Sequence, residues 1–179
     1  MKKLFFLLAL AVATQLTHAQ VGKVFPILTC ENLNDKQVVI PTDTKGKRTV
    51  VCLAMSPKAE KTLRAWNNPL YNSLIGNGMG GLMGGRMYDV NLCFVGMLKG
   101  VAKLGLNEAK KQSREKVEKK QHDIFMVSDD NVRDLMQALG ITDASEPHFF
   151  VLDADGKILY HTFGEYQDKK LDAITEQLL

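Results

Sequence analysis

No two cysteines lie close together in this chain. Cys30, Cys52 and Cys93 sit in separate segments, so there is no Cys-x-x-Cys pair to cycle between dithiol and disulfide. The odd count leaves at least one thiol unpaired in a monomer. Other absences narrow the reading. Beyond the first residues, no apolar run approaches the roughly 20 residues a membrane-spanning helix needs. There is no internal repeat and no long linker. The formal charge is only +3 over 179 residues, and so small an excess argues for no nucleic-acid partner. A Gly-x-Ser-x-Gly nucleophile elbow is also missing.

What is present starts with an export pattern. Lys2 and Lys3 precede an apolar run from Leu4 to Val12, and Thr17 and Ala19 supply the small residues of a cleavage site. The expectation is a signal peptide over residues 1–19, cut after Ala19. Residues 20–179 would then form a single domain in the periplasm or outside the cell. The competing reading of the same segment is an uncleaved N-terminal anchor. No cysteine follows the cut, so a lipid anchor at the new terminus is not expected. Loss of Lys2 and Lys3 takes the charge from +3 to +1. An oxidising compartment permits a disulfide without requiring one.

The rest of the chain alternates between strand and helix signals. Residues 24–54 read as β structure, with runs at Val38–Ile40 and Thr49–Ala54 around a turn cluster. Ser56-Pro57 starts a helix whose buried face is Ala59, Leu63, Trp66 and Leu70. Residues 76–87, rich in glycine, read as a loop carrying Met79, Met83 and Met87. A strand at Tyr88–Val95 precedes a charged helix from about Met97 to Gln121. Ile124–Val127 is a short strand, and Asp129 or Asp130 is expected to cap a helix that Gly140 ends. Phe149–Leu152 and Ile158–Phe163 form a hairpin around Asp153-Ala154-Asp155-Gly156, and Leu171, Ile174 and Leu178 line a closing helix. This order predicts an α/β sandwich with a mixed central sheet flanked by helices.

The order, with Pro147 just before the last hairpin, resembles the thioredoxin and peroxiredoxin superfamily. The residues that carry the likeness are Gly140-Ile141 through Pro147, Phe149 to Asp153 and Asp155 to Ile158. Phe25 to Pro41 looks like the leading β-hairpin of peroxiredoxin-like proteins. The resemblance implies a three-layer thioredoxin-like sandwich, a cis bond before Pro147, and a peptide-binding pocket of Ser56, Lys58, Trp66, Glu146, Pro147 and His148. Ser56-Pro57-Lys58-Ala59-Glu60 followed by Trp66-Asn67-Asn68-Pro69-Leu70-Tyr71 is similar to the thioredoxin-like assembly chaperones of mitochondrial ATP synthase. That family usually carries Gly and an aromatic where this chain has Glu146-Pro147-His148. The likeness implies a protein client, a subunit of a membrane complex, and no disulfide chemistry.

Where a thioredoxin carries its two cysteines, this chain has Ser56-Pro57-Lys58-Ala59. Neither end of that stretch exchanges a disulfide, and a peroxiredoxin's single reactive cysteine is missing too. Cys52 and Cys93 lie in apolar strands expected to be neighbours, either as inert core thiols or as a bridge. Cys30, near a turn, is expected to be the exposed thiol. A redox enzyme using these cysteines is thus the alternative to a non-catalytic binding protein. Ser56 as a nucleophile beside His148 competes with Ser56 as a helix cap. Met79, Met83 and Met87 recur every four residues and suit Cu(I), or make an adaptable apolar loop. No other cofactor is expected. The basic stretch Lys99–Lys120 reads as a solvated helix face or as a contact to anionic lipid. His122 and His161 read as isolated surface residues.

Overall fold

The structure, a computed structural model, describes residues 20–76, 88–98 and 103–179. The export segment, the methionine-rich loop with Met79, Met83 and Met87, and Lys99 lie outside the described residues. Seven strands form one sheet: β1 (Leu28–Asn32), β2 (Gln37–Ile40), β3 (Arg48–Ala54), β4 (Val90–Met97), β5 (Phe125–Ser128), β6 (His148–Leu152) and β7 (Ile158–Phe163). Their order across the sheet is β2-β1-β5-β4-β3-β6-β7. β3, β4 and β5 run parallel, while β6 is antiparallel to β3 and β1 antiparallel to β5. The sheet is therefore mixed, with the expected leading hairpin β1–β2 at one side.

Helices α1 (Pro57–Leu74), α2 (Lys103–Arg114), α3 (Val132–Ala138) and α4 (Asp168–Glu176) complete the layers. Central strands alternate their side chains between two cores. Val50, Cys52, Phe149 and Val151 meet Ala59, Leu63, Trp66, Leu70 and Leu74 of α1 and Ile174 of α4. Val51, Leu53, Phe150 and Leu152 meet Val132 and Leu135 of α3 on the other face. Two buried cores around one sheet make three layers. Among the described residues no helix is long and apolar enough to cross a membrane.

Local chemistry explains the boundaries. Ser56 has extended backbone, its side chain accepts from Ala59 N–H at 3.2 Å, and Pro57 takes the first turn, where a missing N–H costs nothing. At the end of α3, Gly140 takes φ +60°. Its N–H bonds Gln137 O and that of Ile141 bonds Met136 O, a Schellman closure. The cap that begins α3 is Asn131, whose side chain accepts from Arg133 and Asp134 N–H. Asp130, one of the two expected caps, is instead committed across the sheet to Thr29 N–H at 2.7 Å.

Two further expectations are corrected. The bond before Pro147 is not cis; the cis X-Pro bond joins Ile40 to Pro41. The reversal into β6 is made upstream, where the Asp143 carboxylate accepts from Ser145 N–H and Oγ, and Asp143 O pairs with His148 Nε2. The chain thus reaches Pro147 already aligned with the sheet. The long charged helix is also shorter than expected. β4 continues to Met97, α2 ends at Arg114, and a separate 3-10 turn occupies Lys119–Gln121.

Candidate functional site

The parallel strand β3 delivers Ser56 and Lys58 to the start of α1, where the turn before β6 meets them. Ser56 Oγ donates to Ala144 O at 2.8 Å while accepting the α1 cap bond. Lys58 Nζ lies 3.3 Å from Ser145 Oγ and 3.8 Å from Glu146 Oε1. Pro147 O accepts from Gly164 N–H at 2.9 Å, and Gly164 O accepts from Trp66 Nε1–H at 3.0 Å. The fold therefore gathers Ser56, Lys58, Glu146, Pro147 and His148 at one end of the sheet. Trp66 joins them through Gly164 and is itself fully buried, tilted against Phe149 with ring centroids 4.2 Å apart and edge-on to Tyr166. Ser56 makes no bond to His148, whose Nε2 is spent on Asp143 O. Among the described residues Ser56 Oγ meets no base, and both its bonds serve the turn and the helix cap.

An open cleft of about 620 Å³ begins at Ser56 and Pro57 and runs between α1 and α2. Its floor is apolar: Leu63, Phe94, Met97, Phe125 and Met126. Its rim is polar, with Glu60, Arg64, Asn67, Gln112 and Lys116. Phe94 and Phe125 stack at 4.7 Å across the β4–β5 pair and form the flat centre of that floor. Asn67 Oδ1 is shielded from solvent and has no hydrogen-bond partner among the described residues. Sequence reasoning found the mouth at Ser56 and missed the cleft. The signal was the composition of α2, whose residues on the cleft, Ala109, Gln112 and Ser113, are too small or too polar to fill the space above two phenylalanines.

The three thiols are free, and all are buried. Cys30, expected to be exposed, is 2% accessible because β1 turns it into the core beneath α3. The β3–β4 register pairs Val51 with Cys93 and Cys52 with Phe94. Cys52 and Cys93 therefore point to opposite faces of the sheet, and a bridge between them is ruled out by the pleat. Burial pushes the Cys93 thiol up to about 12. Burial does the same to Cys30, helped by Cys93 and Asp130 nearby, and to Cys52. Thiolates are disfavoured at all three positions, and none lies at the start of α1.

His161 is not isolated. Its Nε2 lies 3.0 Å from His148 Nδ1, and its ring stacks on Phe150 at 4.3 Å. Burial first, then the neighbouring His148, lowers the His161 pKa to about 4. Burial also lowers that of His148, against the pull of Asp143 and Glu146. His122 pairs with Val117 O at 3.0 Å. Among the described residues no group of three or more His, Cys, Asp or Glu is arranged to hold a metal ion.

The basic stretch is partly turned inward. Lys110, 3% exposed, pairs with Glu31 and with Asp35 at 2.6 Å. Arg114 pairs with Asp35 and donates to Leu33 O. Lys111, Lys116, Lys119 and Lys120 remain on the surface.

A family model described as ATP10 protein matches residues 12–178. No curated protein matches. Among solved structures, the thioredoxin domain of a Bacteroides vulgatus thiol-disulfide oxidoreductase is 18% identical, with a TM-score of 0.56 over 89% of this chain and 98% of that one. StoA from Bacillus subtilis is 17% identical, with a TM-score of 0.53 over 85% and 98%. The reduced 2-Cys peroxiredoxin of Plasmodium vivax is 11% identical, with a TM-score of 0.52 over 88% and 81%. At such identities the likeness establishes a thioredoxin-like fold and carries no chemistry with it.

Proposed function

The chain belongs to the ATP10 protein family, and from that premise we propose that it is an exported, non-catalytic assembly factor that holds a polypeptide client, a membrane subunit of ATP synthase. One observation carries the reading. Where this fold does redox chemistry the chain has Ser56-Pro57-Lys58-Ala59, and its three thiols are buried away from that point. What the same end of the sheet offers is a surface: the cleft between α1 and α2, apolar below and polar at the rim. Such a shape suits an apolar segment that must be shielded before it reaches its complex. Export rests on the Lys2-to-Ala19 pattern, with cleavage after Ala19.

The test is genetic and biochemical together. Deleting the gene in its source organism should reduce intact ATP synthase on native gels. The wild-type gene should restore it, and so should a variant with Cys30, Cys52 and Cys93 all changed to Ala, its folding checked by Trp66 emission. A crosslinker placed at Arg64 should trap an ATP synthase subunit, while one at Lys36, away from the cleft, should not. Normal ATP synthase in the deletion strain would sink the assembly role. A folded but inactive cysteine variant would sink the non-catalytic one.

A further inference from the structure

The floor of the cleft decides the form of what can lie in it. β4 is bonded to β3 on one side and β5 on the other, and β5 to β4 and β1. The outer strands of the sheet are β2 and β7, and neither lines the cleft. An extended segment laid over Phe94 and Phe125 would find no strand edge to pair with. Its N–H and C=O groups would lose water without gaining a partner. A helix bonds those groups to itself. The α2 wall suits that form, because Ala109 and Ser113, four residues apart, present small side chains that let a second helix close up.

Length follows from the wall formed by α1. Its cleft residues run from Pro57 to Asn67, and at 1.5 Å per residue that wall is about 15 Å long. A membrane-spanning helix is about 30 Å long, so the cleft covers about half of one. Direction follows from charge. α1 joins β3 to β4 and α2 joins β4 to β5, both parallel pairs, so both helices run back against the strands and start at the same end of the sheet. The mouth at Ser56 and Pro57 is at that end. Helix N-termini bring partial positive charge there. Lys58 adds a full one, its side chain 68% exposed and 3.8 Å from Glu146, while Glu60 is paired with Arg64. A helix end with unbonded carbonyls, or a chain-terminal carboxylate, suits this charge, and a helix N-terminus does not.

We propose that the cleft takes the C-terminal half of an apolar helix, lying antiparallel to α1 and α2 with its last carbonyls at the Ser56–Lys58 mouth. The proposal rests on the client-holding reading above and gives the client a form, a length and a direction. The other half of a spanning helix stays outside the cleft, so the client is held by one end.

Fluorescence anisotropy of labelled peptides against the whole protein, as its host produces it, is the test. The probe is a peptide of about ten residues, leucine along one face and serine along the other, stapled on the serine face because so short a helix is marginal in water. It should bind, and the unstapled peptide should bind about tenfold more weakly. Amidating its terminal carboxylate should weaken binding roughly threefold, and doubling its length should change affinity less than that. A photoreactive group at its C-terminus should label Lys58, and one at its N-terminus Asn67. A109W, which fills the cleft from α2, should lose binding, as should the milder S113L, each with its melting temperature checked. Equal binding of the unstapled peptide would overturn the helical form, and a tenfold gain on doubling would overturn the half-span. Labels in the reverse order would overturn the direction. In all three cases the cleft would still hold a client. No binding, or full binding by folded A109W and S113L, would remove the cleft as the client's site and this inference with it. Loss of ATP synthase in the deletion strain would then still support the assembly role.

Discussion

The Nδ1 of His148 and the Nε2 of His161 lie 3.0 Å apart, joining the turn before β6 to the outer strand β7. The other nitrogen of His148 faces Asp143 O at 3.0 Å, and a carbonyl only accepts. His148 therefore donates through Nε2 and accepts through Nδ1, and His161 donates through Nε2. His148 is neutral in this arrangement. A proton on His148 Nδ1 would set two donors against each other and break the link.

This arrangement predicts acid sensitivity of a definite sign. Both histidines bind protons less readily when folded, His161 falling from 6.5 to about 4. As pH drops, the unfolded chain is protonated first. Stability is therefore full above about 6.5 and is lost progressively down to about 4. The loss should be about 2 kcal/mol, discounted because His161 is only partly buried. Urea titrations between pH 7 and pH 4 measure it, and H161F, which keeps the stack on Phe150, should flatten the slope. An unchanged slope in H161F would show that other groups dominate.

The thiols should be silent in the native protein. A thiol reagent at neutral pH should find none at first and all three after denaturation, with Cys30 ahead of the others under mild destabilisation because it backs a hollow beside Thr29 and Asp35. Replacing Cys52, which is wholly buried among apolar side chains, by Ser should cost about 1–3 kcal/mol, since the added hydroxyl has no assured partner. Rapid native reaction at Cys52 or Cys93 would contradict the core placement.

If Ser56-Pro57-Lys58-Ala59 stands where thioredoxins keep their dithiol, the double variant S56C/A59C should gain what the wild type lacks. A thiol at the N-terminus of α1 is favoured as thiolate by the helix dipole and the free N–H groups there. Insulin reduction should rise from background to a measurable rate, and S56C alone should not suffice, because no second thiol would resolve the mixed disulfide. A folded double variant with no activity would mean that the turn at Ala144 to Glu146 closes this end against substrate.

How much of this could be read from the chain depended on how local the cause was. The α1 start was legible because Ser56, Pro57 and Ala59 act within one turn, and so was the Asp153–Gly156 hairpin, whose φ of +87° at Gly156 matches its glycine. The His148–His161 link was not legible. It depends on the β6–β7 register, including an irregularity between Val151 and Leu152. Cys30 looked peripheral because it lies near a turn, yet β1 pairs with the distant β5, Glu31 opposite Val127, and that pairing buries Cys30 with Val132 and Leu135 of α3. The cleft escaped because it is made by what α2 fails to cover, and a deficit of bulk leaves no motif.

Trp66 offers a sharper probe of the α1 core. It is the chain's sole tryptophan, so its emission reports one place. Fully buried, it should emit toward the blue and shift red on unfolding. Trp66→Phe keeps an aromatic ring against Phe149 and Tyr166 but strips the donor from Gly164 O. The cost should be about 2–3 kcal/mol from the cavity and the orphaned carbonyl together, read by circular dichroism in denaturant. A loss below about 1 kcal/mol would mean that water replaces the indole N–H.

The buried Lys110 decides whether the basic stretch is a surface or a strut. Burial acts to lower its pKa, but the bonds to Asp35 and Glu31 outweigh that and raise it, so the ammonium stays charged across ordinary pH. Its partners are more exposed than it is, and Asp35 keeps Arg114 when Lys110 is removed. Replacement by Met should therefore cost only about 1–2 kcal/mol, less than the 3–5 of a wholly buried pair, because Glu31 and Asp35 regain water. Lys110→Glu should cost far more, since it sets a third carboxylate against two. If the stretch served only to touch anionic lipid, reversing Lys110 would weaken vesicle binding and leave stability intact. The ion pairs demand the opposite: loss of stability, and vesicle binding, where there is any, governed by the exposed Lys111, Lys116 and Lys119.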